Sequence, residues 1–256
     1  MTHRVVVVGE RDGIDIPGSP DAAVLLLHGL FGTPNELHVL GDQLAGAGYA
    51  VRIPLLPGRA SSPSVLDRLS WEDWMRDAVR HFDELAAAHA HVAVGGLSAG
   101  GTMALDLALR RPTASLLLYA AALSLRYRVT ALAPYLWRVV PRWPRATGPA
   151  DAPGRYERVP VRAVGELVLG MRRVRSRLGE ITAPALVAHS RGDPIVPVSS
   201  ADRLARDLGG PVELMLLEGA AHAITAALER ERLGDESVAH LRRYVPLRRQ
   251  GIKDSR

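Results

Sequence analysis

A serine stands in the run Gly96-Leu97-Ser98-Ala99-Gly100, between an apolar stretch that starts near His91 and an alanine-rich stretch that reaches Leu109. Gly-x-Ser-x-Gly in that setting is the pattern of a nucleophile elbow, a sharp strand-to-helix turn that lifts a serine hydroxyl from the edge of a sheet. The glycines belong to the geometry, because side chains at positions 96 and 100 would clash as the two elements close up. The following helix points unpaired N–H groups at the same spot, where they favour a developing negative charge. Acyl transfer is the first chemistry this suggests, although the pentapeptide alone fits a tight turn equally well. Two other uses of the glycines fail. A phosphate loop needs Lys and then Ser or Thr after its last glycine, whereas Gly100 is followed by Gly101 and Thr102, and Ser98 takes the place of a dinucleotide fingerprint's second glycine.

A serine hydroxyl is a poor nucleophile at neutral pH, so it needs a base and an acid that orients the base. After Ser98, the first acid in a strand-to-loop setting is Asp193, in Gly192-Asp193-Pro194, which also makes a good turn on its own. His222 follows the last predicted strand, and the order Ser, Asp, His is the one that a Gly-x-Ser-x-Gly elbow uses. Of nine histidines only His222 and His240 lie beyond Asp193, and His240 falls inside a final helical pattern. His28 and His189 border strands at the same edge but precede Asp193 and fit structural roles. Glu218, four residues before His222, is the rival acid. An oxyanion needs two backbone donors, one after the nucleophile and one after an early strand, which selects the N–H groups of Ala99 and Leu30. The side chains of Leu30 and Phe31 are then free to shape an apolar acyl pocket.

These residues need a scaffold that alternates strands with helices. Strands are predicted at 5–8, 24–27, 49–55, 92–94, 115–119, 184–189 and 212–217, and helices at 35–47, 71–88, 102–109 and about 226–244. The alternation predicts an α/β fold with a mostly parallel central sheet flanked by helices. In the helix from Trp71, the positions Trp74, Ala78, Phe82 and Leu85 share one face, so the Trp residues read as core anchors. From about 122 to 179 the rhythm stops in favour of Arg, Trp, Tyr and Pro, with a helical pattern over 161–178. That length between two strands predicts a small cap, or lid, inserted in a single domain spanning 1–256. Phe31, Trp137, Leu167, Met171 and Val196 are the candidate substrate contacts. Residues 248–256 read as a frayed tail.

At 256 residues with 47% hydrophobic and 23% charged residues, the chain has the composition of an ordinary globular protein. The formal net charge is +5, carried almost wholly by arginine, since Lys253 is the only lysine. The Arg172–Arg177 and Arg242–Arg249 clusters read first as solvated faces. Neither interleaves with stacking aromatics, so no nucleic-acid partner is expected, while a positive surface could help approach to anionic lipid aggregates. The absence of cysteine excludes disulfides, thiolate catalysis and cysteine-bound metal. No stretch has the length of a membrane span or signal core, so a cytoplasmic protein is expected, as a monomer or homodimer. The chemistry requires no cofactor and no metal.

Several motifs together resemble the bacterial carboxylesterase and monoacylglycerol lipase group of α/β-hydrolases. They are His28-Gly29-Leu30-Phe31-Gly32-Thr33-Pro34, the Pro54 to Gly58 loop leading to Trp71 and Trp74, Gly96 to Gly101, Asp193 to Pro197, and His222 to Thr225 with Glu229-Arg230-Glu231 beyond. The resemblance covers nearly all the chain outside the cap. It implies Ser98 as nucleophile, Asp193 as orienting acid, His222 as base and the Leu30 and Ala99 N–H groups as oxyanion hole. It further implies a small ester or lipid substrate, with short-to-medium acyl esters or monoacylglycerols first. A thioesterase or lysophospholipase would use the same triad, and a slow-turnover ligand receptor is the alternative of another class. Two positions depart from the group: Gly58-Arg59-Ala60 stands where Gly-His-Gly is usual, and Ala99 where Met or Gln is frequent.

Overall fold

The computed structural model describes residues 13–59, 63–144, 158–219, 222–226 and 229–247. The predicted strand at 5–8 and the tail at 248–256 lie outside them.

A seven-stranded sheet forms the centre, in the order β1-β3-β2-β4-β5-β8-β9. Its strands are β1 (Ile14–Ile16), β2 (Ala22–Leu27), β3 (Ala50–Ile53), β4 (His91–Leu97), β5 (Leu116–Tyr119), β8 (Ala185–Ser190) and β9 (Val212–Leu217). All neighbours are parallel except β1, which runs antiparallel to β3 at the edge. The runs Ala22–Leu27 and Leu116–Tyr119 are buried throughout, as strands covered on both faces must be. A short antiparallel ribbon, β6 (Arg142–Pro144) with β7 (Arg158–Pro160), stands apart from the sheet.

The alternation of side chains along each strand feeds two cores. On one face Leu25, Val94, Leu118 and Val187 meet helices α3 (Trp71–Ala88), α4 (Ala99–Ala108), α6 (Val161–Arg175) and α7 (Ser199–Asp207). On the other, Val24, Leu117, Leu186 and Met215 meet α1 (His38–Gly46) and α8 (Arg230–Tyr244). Two four-residue helices, α2 (Pro63–Leu66) and α5 (Ala133–Leu136), complete the set. α3 spans the range its periodicity predicts, and its start is fixed by a capping box in which Ser70 and Asp73 satisfy each other's backbone N–H. Trp74 is fully buried, and Trp71 donates its Nε1–H to the buried Asp106 at 2.7 Å, so both indoles are core anchors.

Between β5 and β8 the chain makes a 3-10 turn at Arg128–Leu132, α5, the ribbon and α6. The helix predicted over 161–178 is α6, and it is packed into the helical layer. Gly170 lies so close to Trp71 that a Cβ there would come within 2.5 Å of the indole, and Leu167 and Met171 are 3% exposed. α7 escapes sequence patterning because only Ser200, Ala201 and Leu204 of its nine residues are buried.

Candidate active site

Sheet order reverses between β2 and β4, with β3 on one side and β5 on the other. In open α/β sheets ligands bind at the carboxyl ends of the strands at such a switch point. Register places Leu27 opposite Gly96, Leu97 opposite Tyr119, and Ser190 opposite Leu217. The loops after β2, β4, β8 and β9 therefore emerge at one edge, and they carry Leu30, Ser98, Asp193 and His222.

Ser98 lies between the last residue of β4 and the first of α4, at φ 57° and ψ −113°. A non-glycine residue with positive φ is held at a cost of about 1–3 kcal/mol and persists only where its surroundings over-determine it. Here the Ser98 N–H donates to Tyr119 O at 2.8 Å, and its carbonyl accepts from the N–H groups of Thr102 and Ala122, each at 3.2 Å. The close approach needs glycine: a Cβ on Gly96 would lie 2.3 Å from the Gly100 backbone, and one on Gly100 would lie 1.9 Å from Leu27 O.

His222 Nδ1 lies 2.7 Å from Asp193 Oδ2. Asp193 is fully buried, and its other oxygen accepts from the N–H groups of Ile195 at 2.7 Å and Val196 at 3.0 Å. Burial pushes the Asp193 carboxyl up, but the His222 bond and charge and the two N–H donors outweigh it and hold the group below the usual carboxylate range. An ionised carboxylate only accepts, so Nδ1 donates to it, and in a neutral ring Nε2 is the nitrogen with the lone pair. Glu218 lies elsewhere: its side chain is 82% exposed and pairs with Arg191 at 2.9 Å. His240 is buried at the opposite end of β5, 2.9 Å from the Ser115 hydroxyl.

Supporting contacts come from His189, which the sequence reading gives a structural role at this edge, and from residues it does not single out. His189 Nε2 lies 3.0 Å from Val196 O and 3.7 Å from Asp193 Oδ2, and burial lowers its pKa, so a neutral imidazole braces the 193–196 turn. Arg126, 67 residues before Asp193 in the chain, donates to the Asp193 carbonyl at 3.0 Å. The Ser190 hydroxyl and the Gly192 N–H both bond Gly219 O, which ties the His222 loop to the Asp193 loop. Thr225 Oγ1 donates to Glu36 O at 2.8 Å and ties the same loop to the turn after β2. The four-residue spacing from His189 to Asp193 was the one legible signal among these.

The loop after β2 is held by His28. Its Nδ1 lies 3.0 Å from Gly29 O, and its Nε2 accepts from the Leu56 N–H at 3.1 Å, so the ring is neutral with the proton on Nδ1. Complete burial, with the Arg59 charge nearby, lowers its pKa to about 3. Arg59, at the position that departs from Gly-His-Gly, is 4% exposed and lies 4.5 Å over the Trp74 ring. The N–H groups of Leu30 and Ala99 have no acceptor among the described residues.

A histidine kept neutral in the fold loses ground as pH falls, because the unfolded chain takes up a proton below its ordinary value of 6.5 while the folded chain does so only near 3. Stability should therefore decline between those values, by up to about 1.4 kcal/mol per pH unit from His28. Urea unfolding midpoints near pH 7 and pH 5, on the native chain and His28→Gln, measure this, and the variant should show the shallower decline. Equal slopes would mean that His28 is already protonated in the fold.

Of the candidate substrate contacts, Phe31 and Trp137 are half-buried against the helical core. Leu167, Met171 and Val196 are buried within that core, and Val196 also donates its N–H to Asp193.

Comparisons with known proteins bear on the family and the fold. Over 230 residues the chain is 26% identical to a thermostable monoacylglycerol lipase of Bacillus sp. (strain H-257), covering 87% of this chain and 91% of that one. It is 24% identical over 218 residues to a carboxylesterase of Bacillus subtilis (strain 168), covering 82% and 88%. A solved structure from work on LipS and LipT, two metagenome-derived lipolytic enzymes, superposes with a TM-score of 0.84 at 25% identity, over 93% of this chain and 99% of that one. Residues 18–230 match the Hydrolase_4 family, described as serine aminopeptidase, S33. The chain thus belongs to that family and is a hydrolase of the α/β-hydrolase fold.

Proposed function

We propose that this protein is a serine esterase that cleaves carboxylic esters with apolar acyl groups, short-to-medium acyl esters or monoacylglycerols, through an acyl-enzyme on Ser98. The observation that carries the reading is the 2.7 Å contact of His222 with buried Asp193 at the sheet edge where strained Ser98 stands. Asp193 holds the Nδ1–H tautomer, so His222 Nε2 takes the Ser98 proton as Oγ attacks the carbonyl. The Leu30 and Ala99 N–H groups receive the oxyanion, and the N-terminus of α4 adds its dipole. His222 then protonates the departing alcohol. Water activated by the same imidazole hydrolyses the acyl-enzyme and returns Ser98.

The family description names an aminopeptidase, and such an enzyme must recognise a charged α-amine. The relatives that match most of the chain are named a monoacylglycerol lipase and a carboxylesterase, which favours an ester with an uncharged acyl group. In this reading Phe31 and Trp137 flank the acyl chain and set its length.

A series of p-nitrophenyl esters and monoacylglycerols of increasing chain length, run beside aminoacyl p-nitroanilides and acyl thioesters, tests the assignment. The esters should show the highest kcat/KM, by at least about 100-fold over the anilides. Preference for anilides would make it a peptidase. Preference for thioesters would move it to that class, and tight ligand binding with negligible turnover would make it a receptor.

A further inference from the structure

The stretch between β5 and β8 presents an outer surface that the proposed chemistry does not use. Tyr127, Val129, Leu132, Tyr135, Val139 and Val140 are all exposed, Tyr135 by 68% and Val139 by 81%. So many large apolar side chains within fourteen positions are costly in water and mark a contact surface. α6 lies directly beneath them. Gly165 admits Pro134 so closely that a Cβ would sit 3.0 Å away. Arg162 stacks 4.9 Å from the Trp137 ring, and Arg172 donates to Tyr135 Oη at 3.2 Å and to Ala131 O at 3.0 Å. Positions 162, 165, 169 and 172 follow helical spacing, so exposed Leu169 shares that face.

Charge on this surface has one sign. Nine arginines and a single acid, Glu166, fall among the described residues between 126 and 175. Arg142 and Arg173 are paired with Asp67 and with Glu72 and Asp106 on the body of the protein. Arg138, Arg162 and Arg172 meet no carboxylate among the described residues, and they lie instead on the rings of Trp137 and Tyr135. Aliphatic side chains that gain by leaving water, aromatic rings suited to an interface, and guanidinium groups able to fork onto phosphate form one face.

We propose that this face, residues 127–140 with the Arg162 to Arg172 side of α6, docks on a lipid surface bearing anionic headgroups. Charge complementarity selects that occupant. A second copy would set two arginine-rich faces against each other. A single-stranded nucleic acid would need open aromatic platforms, whereas Trp137 is covered by Arg138 and Arg162, and much of the patch is aliphatic. Docking goes beyond the esterase reading and does not depend on it.

Co-sedimentation with vesicles of phosphatidylglycerol and phosphatidylcholine, against phosphatidylcholine alone, tests the proposal on the full chain and on an Arg138→Glu/Val139→Asp variant. Binding to the anionic vesicles should be about ten-fold tighter than to neutral ones and should weaken about ten-fold as salt rises from low to high. The variant should lose about ten-fold in binding while its thermal melt and its turnover of water-soluble p-nitrophenyl butyrate stay unchanged. Equal binding to neutral vesicles, no binding to either, or undiminished binding by the variant would overturn it. So would tighter capture of single-stranded RNA, or a concentration-dependent dimer that the variant abolishes. No turnover of the soluble ester by the native chain, with binding to anionic vesicles present, would count against the esterase reading alone.

Discussion

Ser98→Ala should abolish ester turnover, lowering kcat by about 10⁴-fold or more, while the protein stays folded. The backbone at 98 is held at φ 57° by Tyr119, Thr102 and Ala122, and alanine meets the same strain there as serine. Only the hydroxyl is lost. The variant should therefore melt within a few degrees of the native protein and no longer be labelled by a fluorophosphonate probe. Turnover of p-nitrophenyl butyrate reads the effect directly. Residual activity near the native level would take the nucleophile role away from Ser98, and with it the acyl-enzyme.

Asp193→Asn should come close behind, lowering kcat by about 10³- to 10⁴-fold with a small change in KM, whereas Glu218→Gln should stay within about two-fold of native. The reason is geometric. Asp193 Oδ1 accepts two backbone N–H groups, from Ile195 and Val196, so an asparagine in its place must turn its oxygen toward them. Its amide nitrogen then faces His222 and donates to Nδ1, which forces the proton onto Nε2 and removes the base. Glu218 pairs with Arg191 in solvent, and neutralising it changes an exposed contact of small value. The reverse ranking of the two variants would pass the acid role to Glu218.

Much of this scaffold was legible along the chain. α3 and β9 occupy the predicted ranges, and β2, β5 and β8 lie within one or two residues of theirs. Each is a long or strongly apolar run, where periodicity speaks loudest. The ends were less legible. Leu97 extends β4 right up to the elbow, and α4 begins at Ala99 rather than Thr102, because its first turn includes Gly100 and Gly101, which suit close approach and have poor helix propensity. The helix at 161–178 is legible as a helix, while its neighbours are not: Leu167 and Met171 are apolar positions with no stated partner in the sequence, and the structure buries them where Gly170 abuts Trp71.

By itself the sequence picked out the residues proposed to carry the chemistry, a serine between paired glycines with an aspartate and a histidine in order behind it, because local sterics and chain order are written residue by residue. It left Glu218 as a lesser rival to Asp193 and could not find Arg126 or the tie through Gly219, because those contacts join residues far apart in the chain or turn on which way a loop folds. Parallel register decided them, bringing the ends of β2, β4, β8 and β9 to one edge. Tertiary structure likewise decided that Arg138, Arg162 and Arg172 gather with exposed apolar side chains on one face.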